Sequence, residues 1–180
     1  MAVFSSHFDH LRELFVRRNS DGLKQFAVET SLQALQNNDK RLVQFSIVGY
    51  SLAKLMEKPY IARSSRWAKF SKFLLQKLAQ VEKCNDASKT CDDVLFAIVS
   101  ELRDLSSDLG RFVFNVVEKA KVKAATEIYS HGASIGVAIE LTGADRKELM
   151  SYIGGTTLAD KFETKTVNQR LMSVEKLFKK

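Results

Sequence analysis

The stretch DKRLVQFSIVGYSLAKL, residues 39–55, decides the fold of this chain. Asp39 can cap a helix, and the residues that follow it are apolar nearly all round in the middle of the stretch. Because a helix without a polar face must be enclosed by other elements, the stretch predicts the central helix of a bundle. Pro59 predicts the end of this helix, since proline lacks the amide hydrogen that a helix interior needs.

Five further runs of apolar residues recur at helical spacing and predict the helices that surround the central one. Their expected bounds are residues 5–17, 20–37, 64–81, 92–105 and 109–130. Ser20 is expected to cap the run that it opens, and Gly132 to end the last run. One proline and eight glycines in 180 residues are few for a sandwich or a barrel. The sequence therefore predicts an all-α fold, with a bundle of about six helices.

The last part of the chain differs from the bundle, because its elements are short and five glycines lie within residues 132–155. Short elements with clustered glycines predict a compact helix-turn-helix-like module, followed by a C-terminal helix over about residues 166–178. That closing helix is expected either to dock on the bundle or to pair with a second subunit. The expected domains are thus residues 1–131, the helical bundle, and residues 132–180, the module with its closing helix.

The segment SIGVAIELTGADRKELMSYIG, residues 134–154, is typical of a helix-turn-helix. Ala138 would let the two helices approach closely, and Gly143 suits a left-handed turn residue. Asp145 can cap the second helix, with Glu148 completing a capping box. We expect Arg146, Lys147 and Ser151 to face outward, where a recognition helix contacts base edges. The alternatives are a structural helical hairpin and a dimerisation element.

The formal charge of +7, from 28 basic and 21 acidic residues, favours anionic partners such as nucleic acid. Much of this excess lies within residues 54–83, which hold eight basic and two acidic residues. A helical face with this bias suits contacts with phosphates. The residues expected to make them are Arg63, Arg66, Lys69 and Lys72. A solvated helix face without a ligand is the alternative.

Enzyme motifs are missing from the sequence, which has no zinc-protease, nucleophile-elbow or phosphate-loop pattern. His7 and His10 lie one turn apart without a further metal ligand that the sequence identifies. Cys84 and Cys91 are too few for a structural zinc site, and whether they form a bridge stays open. The sequence therefore predicts a non-enzymatic protein without a metal or other cofactor.

The N-terminal residues carry charges inside their apolar pattern, unlike a signal peptide, and no stretch has the roughly 20 apolar residues of a membrane span. We therefore expect a cytoplasmic protein that has no membrane partner.

Residues 134–154 resemble the helix-turn-helix antitoxins that pair with PIN-domain ribonuclease toxins. The matching positions are Ala138, Glu140, Leu141, Gly143, Arg146, Glu148, Leu149 and Gly154. Residues 47–69 are similar to an uncharacterised archaeal family of all-helical proteins that carry such a module at the C-terminus. The resemblance implies this fold, an archaeal origin, and a regulator or adaptor rather than an enzyme. A thermophilic archaeal source would favour a bridge between Cys84 and Cys91.

Together these features predict a protein that binds nucleic acid, DNA rather than RNA, without catalysis and with a regulatory role. A homodimer would suit this function, because paired recognition helices need two-fold spacing. The alternative function is an adaptor or antitoxin-like protein, which binds a protein partner and does not contact nucleic acid.

Overall fold

A computed structural model of the protein describes residues 3–81, 89–108 and 115–155. Within these ranges all regular elements are α-helices and there is no β-strand, which confirms the all-α prediction. The nine helices are α1 (Val3–Val16), α2 (Ser20–Asn37), α3 (Lys40–Met56), α4 (Pro59–Ala62), α5 (Ser65–Gln80), α6 (Lys89–Asp108), α7 (Val116–Ser130), α8 (Ile135–Thr142) and α9 (Arg146–Gly155).

Helix α3 is the central element, as its sequence predicts. It packs against α1, α2, α4, α6, α7 and α8, and side chains on every side of its middle part are buried. Phe45 of α3 contacts Phe8 of α1 edge to face, with ring centroids 4.7 Å apart. It also faces Phe26 of α2 at 6.3 Å. These aromatic rings tie three helices to one hydrophobic core.

Side chains cap the starts of α2, α3 and α5 and fix where these helices begin. The Asp39 carboxylate accepts a hydrogen bond from the Arg41 amide at 2.9 Å, as predicted for α3. Burial raises the pKa of Asp39, but hydrogen bonds and charge from Arg41 outweigh it and hold that pKa below its ordinary value. The predicted cap of α2 is wrong: Asn19, not Ser20, accepts from the Gly22 amide at 2.9 Å. Ser20 is already the first residue of the helix.

Helix α7 ends as predicted but does not begin as predicted. Gly132 follows its last turn with φ 103°. The Gly132 amide donates to the Tyr129 carbonyl, and the Ala133 amide to the Ile128 carbonyl, which is the bonding pattern of a glycine-terminated helix. A continuous helix over residues 109–130 is excluded because Asn115, with φ 65°, is left-handed and precedes the first turn at Val116.

In the described ranges before residue 131 the short helix α4 adds a seventh helix, where the sequence predicts about six. Pro59 follows α3 and is itself the first residue of α4, where its missing amide hydrogen costs nothing. Ile61 is fully buried, so this single turn contributes to the core. Helix α6 also begins earlier than predicted, at Lys89 rather than near residue 92.

The hydrophobic core continues across residue 131, the predicted domain boundary. Ala138, Leu141, Ala144 and Leu149 of the C-terminal segment belong to the same cluster of buried residues as the bundle. Cys91 is buried in this cluster. Cys84, whose bridging to Cys91 the sequence leaves open, and the predicted closing helix at 166–178 lie outside the described residues. None of the helices in the described ranges is long and apolar enough to cross a membrane.

Replacing Ser51 by alanine is expected to stabilise the fold. The Ser51 hydroxyl is buried in α3 and has no hydrogen-bond partner in the described part of the chain. An unsatisfied buried hydroxyl is costly, so Ser51→Ala should raise the free energy of unfolding by about 1 kcal/mol. Urea unfolding measures this change as a higher midpoint.

Ser46→Ala is the matched control for this prediction, because Ser46 is buried on the same helix. Its hydroxyl pairs with that of Ser31 at 2.7 Å, so its removal should lower the midpoint. If Ser51→Ala lowers the midpoint as well, the assignment of Ser51 as unsatisfied is wrong.

Candidate nucleic-acid interface

The segment after Gly132 forms two short helices, α8 and α9, whose ends are fixed by local hydrogen bonds. The Ser134 hydroxyl caps α8 by accepting from the Val137 amide at 3.2 Å. Gly143 ends α8 with φ 65°, and its amide donates to the Ile139 carbonyl at 2.8 Å. The Asp145 carboxylate then accepts from the Glu148 amide at 2.9 Å. The predicted left-handed glycine and the predicted Asp145 cap are both present.

The capping box predicted for α9 is only half formed. Within the described residues, the Glu148 carboxylate makes no hydrogen bond back to the Asp145 amide. Asp145 alone therefore fixes the start of α9, and the Glu148 carboxylate remains exposed to solvent. Its negative charge near the helix start still interacts favourably with the helix dipole.

Both helices are held on the bundle by their apolar residues. Helix α8 packs on α7 and α3, and α9 packs on α7. Ala138 and Leu149 are fully buried, and Ile153 is partly buried against the same core. The buried alanine lets α8 lie close to the bundle, and the buried leucine attaches α9 to it. The outer face of α9 is thus presented on a rigid support.

On the outer face of α9 the structure places all three residues predicted to approach bases. Arg146, Lys147 and Ser151 are exposed and form no ion pair or hydrogen bond with any other described residue. They lie within the first two turns after the Asp145 cap. The same face exposes Met150, at 47% of its full accessible surface. This set can offer two cations, one hydroxyl and one apolar contact to a ligand.

Acidic side chains lie beside these cations. Glu140, Asp145 and Glu148 are exposed on or next to the same two helices. Three acidic residues against two basic ones leave residues 134–155 slightly negative at neutral pH. Long-range attraction of a polyanion must therefore come from the remainder of the basic chain. Any contact made by Arg146 and Lys147 depends on short-range geometry.

The four basic residues on and beside α5 that are predicted to contact phosphates do not all face solvent together. Arg63 precedes α5, and Lys69 and Lys72 lie on its exposed side, without an ion pair to a described residue. Arg66 instead points toward α6, where its guanidinium pairs with Glu101 at 2.8 Å. Both of these side chains are about 70% covered. The expectation that Arg66 shares an exposed face with the two lysines is therefore wrong.

The structure keeps the two predicted basic sets apart. Helix α5 packs on α1, α4 and α6, whereas α8 and α9 pack on α7 and α3. Helix α5 is not among the main packing partners of α8 or α9, so Lys69 and Lys72 belong to a different group of helices from Arg146 and Lys147.

Lys123 lies on α7, the helix that supports α9, and its charge is already compensated. Burial lowers the pKa of Lys123, but its hydrogen bond and charge interaction with Glu127 outweigh burial, so the pKa is raised. The two side chains are 2.7 Å apart. This lysine is therefore held in the charged form by Glu127, as part of the support for α9.

The histidine, cysteine and acidic residues of the described ranges do not form a cluster that could hold a metal ion. His7 is half-buried rather than fully exposed, with Nε2 2.7 Å from the Gln33 side-chain oxygen. Its ring also packs near Phe45, at 5.4 Å between centroids. Its contacts are those of a structural residue.

Comparison with known proteins does not place the chain in a family. The chain matches no protein-family model, no curated protein and no solved structure. The resemblance of residues 134–154 to helix-turn-helix antitoxins therefore stays a prediction. The candidate interface on α9 is argued from its own geometry.

Proposed function

We propose that this protein binds nucleic acid without catalysing a reaction, and that the outer face of α9 is its contact surface. The observation that carries the proposal is the placement of Arg146, Lys147 and Ser151. All three are exposed in the first two turns of a short helix whose start is fixed by Asp145. A recognition helix in the major groove uses the same part of the helix to contact base edges.

The chemistry of these residues suits duplex DNA. An arginine can make two parallel hydrogen bonds to a guanine edge, and a serine hydroxyl can donate or accept. A lysine near the helix start supplies a charge for a phosphate. The deep, narrow major groove of an RNA duplex does not admit such a helix, which favours DNA as the ligand. The bidentate arginine is assigned here to Arg146 and the phosphate contact to Lys147.

The net charge of +7 supports the proposal in a second, less specific way. Charge of this sign raises the rate at which a protein meets nucleic acid. Lys69 and Lys72 on α5 are exposed and suited to non-specific phosphate contacts. Since they lie away from α9, they are assigned to weak binding rather than to the same contact as Arg146.

A protein partner is the second candidate function, and the apolar part of the same surface favours it. Val137 of α8 and Met150 of α9 are exposed at 41% and 47%. Exposed apolar patches rimmed by polar residues mark surfaces that bind proteins. In this alternative Arg146 and Lys147 would form the polar rim of a protein interface. The protein would then be an adaptor or an antitoxin-like partner, which is the alternative function that the sequence indicates.

The test is fluorescence anisotropy of a labelled random 20-base-pair duplex at about 50 mM and 200 mM salt. Wild type should bind at low salt and lose about ten- to a hundredfold in affinity at the higher salt, as expected for two to four phosphate contacts. Arg146→Ala/Lys147→Ala should weaken low-salt binding about tenfold or more. Lys69→Ala/Lys72→Ala should weaken it less.

The control variant is Arg17→Ala/Lys119→Ala, which removes one arginine and one lysine from exposed positions elsewhere. It carries the same change in net charge, so it should lose less than about threefold. Equal losses in the control and the α9 variant would show binding by net charge alone. No binding of the wild type at low salt would refute the proposal and leave the protein partner.

A further inference from the structure

A cavity between the end of α1 and the first turns of α5 takes no part in the proposed contact surface on α9. It has a volume of about 310 Å³. Sites for small molecules have volumes of about 300 to 1,000 Å³, so this cavity has room for one small ligand. Among the described residues that line it there is one cation, Arg18, and no acidic side chain. We propose that the cavity binds a small aryl carboxylate, with the ring inside and the carboxylate on Arg18.

Apolar side chains from three helices form the interior of the cavity. Phe15 of α1 and Trp67 of α5 lie together, with ring centroids 5.9 Å apart and ring planes tilted by 53°. Met56 of α3 and Leu75 of α5 are only partly buried, so part of their apolar surface remains open. A bound ring would cover this surface and lie beside two aromatic side chains, which favours an aromatic body for the ligand.

Three polar side chains that line the cavity have groups free to hold a ligand. Arg18 is exposed, and its guanidinium forms no ion pair or hydrogen bond with another described residue. The hydroxyls of Ser20 and Ser71 likewise form no hydrogen bond with another described residue. An arginine can hold a carboxylate through two parallel hydrogen bonds, and a hydroxyl can donate one more. These groups suit a ligand with a single carboxylate.

The backbone of Arg18 supports the same conclusion independently. At the end of α1 the Asn19 amide donates to the Leu14 carbonyl and the Arg18 amide to the Phe15 carbonyl, both at 3.0 Å. This bonding pattern requires a left-handed residue at position 18, where glycine is the usual choice. Arg18 adopts that conformation with φ 53°, although its side chain disfavours it. Residues in such conformations cluster at ligand sites, and Arg18 lines the cavity.

The first test uses the fluorescence of Trp67, which is the single tryptophan of the chain. Because Trp67 lines the cavity, titration with phenylpropionate should change its emission in a saturable way. The expected dissociation constant is below about 1 mM for a ligand of this size. Phenylpropionamide has the same body without the charge, so it should bind at least about tenfold more weakly.

The variant Arg18→Gly separates ligand binding from folding. Glycine suits the left-handed position, so the midpoint of urea unfolding should equal or exceed that of wild type. The affinity for phenylpropionate should fall at least about tenfold, because the cation is lost. Arg17→Ala is the matched control and should bind as wild type does. Arg17 is the neighbouring arginine, it pairs with Glu13 at 2.9 Å, and it does not line the cavity.

A second variant fills the cavity and leaves Arg18 in place. Ser71→Leu adds an apolar side chain to the lining, so it should compete with the ligand for the same space and abolish saturable binding. Gln76→Leu makes a similar change at an exposed position of the same helix, away from the cavity, and should bind as wild type does. Circular dichroism establishes that both variants keep their helix content.

Three results would each overturn the inference. They are no saturable change in Trp67 emission up to about 10 mM phenylpropionate, equal affinity for the amide, and unchanged affinity in Arg18→Gly or Ser71→Leu. No nucleic acid is present in these titrations, so their outcome is separate from that of the α9 proposal.

Discussion

Gly49→Val is expected to lower the free energy of unfolding by about 3 kcal/mol, because α2 and α3 lie too close for a side chain at this position. An added Cβ at Gly49 would lie 2.9 Å from the Phe26 ring and 3.2 Å from the Leu23 carbonyl oxygen. The ring is buried against Phe45 and the carbonyl is backbone, so neither can move freely. Thermal unfolding should shift by about 6 to 12 °C for a chain of this size.

Gly136→Val is the matched control for this prediction. Its added Cβ would lie 3.7 Å from the Ser134 hydroxyl, an ordinary contact at an exposed position. The substitution should change stability by less than about 0.5 kcal/mol. Equal stability of the Gly49 variant and wild type would mean that α2 and α3 are farther apart than described here.

Leu149→Ala is expected to lower the free energy of unfolding by about 3 kcal/mol and to weaken DNA binding at the same time. Leu149 is the fully buried anchor of α9, and truncating such a leucine leaves a cavity between α9 and the bundle. The variant keeps every charge of the contact surface. A loss of affinity for DNA would therefore result from a displacement of α9 and not from a change in its charge. Urea unfolding and the duplex-binding assay measure the two effects.

Met150→Ala provides the neighbouring control. Met150 is of similar size but about half exposed, so its loss should cost no more than about 1 kcal/mol. If Met150→Ala destabilises the protein as much as Leu149→Ala does, α9 is rotated about its axis so that Met150, and not Leu149 alone, packs on the bundle. If Leu149→Ala loses stability but binds DNA as wild type does, α9 is not the contact surface.

Local sequence determines several features of this fold, namely helix starts, helix ends at glycine and the central helix, and these features could be predicted. Asp39, Ser64 and Asp145 accept from amides two or three residues later, so a cap depends only on its own neighbourhood. Gly132 and Gly143 have positive φ at the ends of their helices, as expected from their positions. The central place of α3 follows from its lack of a polar face.

Other features depend on contacts that no local pattern contains. Arg66 and Glu101 are 35 residues apart, and only the packing of α5 on α6 brings their charges together. Asn115 adopts the left-handed conformation. Nothing in the local sequence indicates that this residue is not part of a continuous helix. Helix α4 is a single turn, shorter than the window in which periodicity can be recognised.

The candidate site shows the same division. The start of α9 and the exposure of Arg146, Lys147 and Ser151 follow from a capping motif and a helical stripe, and both could be predicted. Whether α9 lies beside α5 depends on the arrangement of the whole bundle, which no local sequence pattern contains.

The most direct test of the α9 proposal is an amide-resolved NMR titration of the labelled protein with duplex DNA. The largest changes in chemical shift are expected at residues 146–151, with smaller changes near Lys69 and Lys72. The changes at 146–151 should be lost in Arg146→Ala/Lys147→Ala. Changes confined to other helices, with α9 unaffected at saturation, would mean that α9 is not the contact surface.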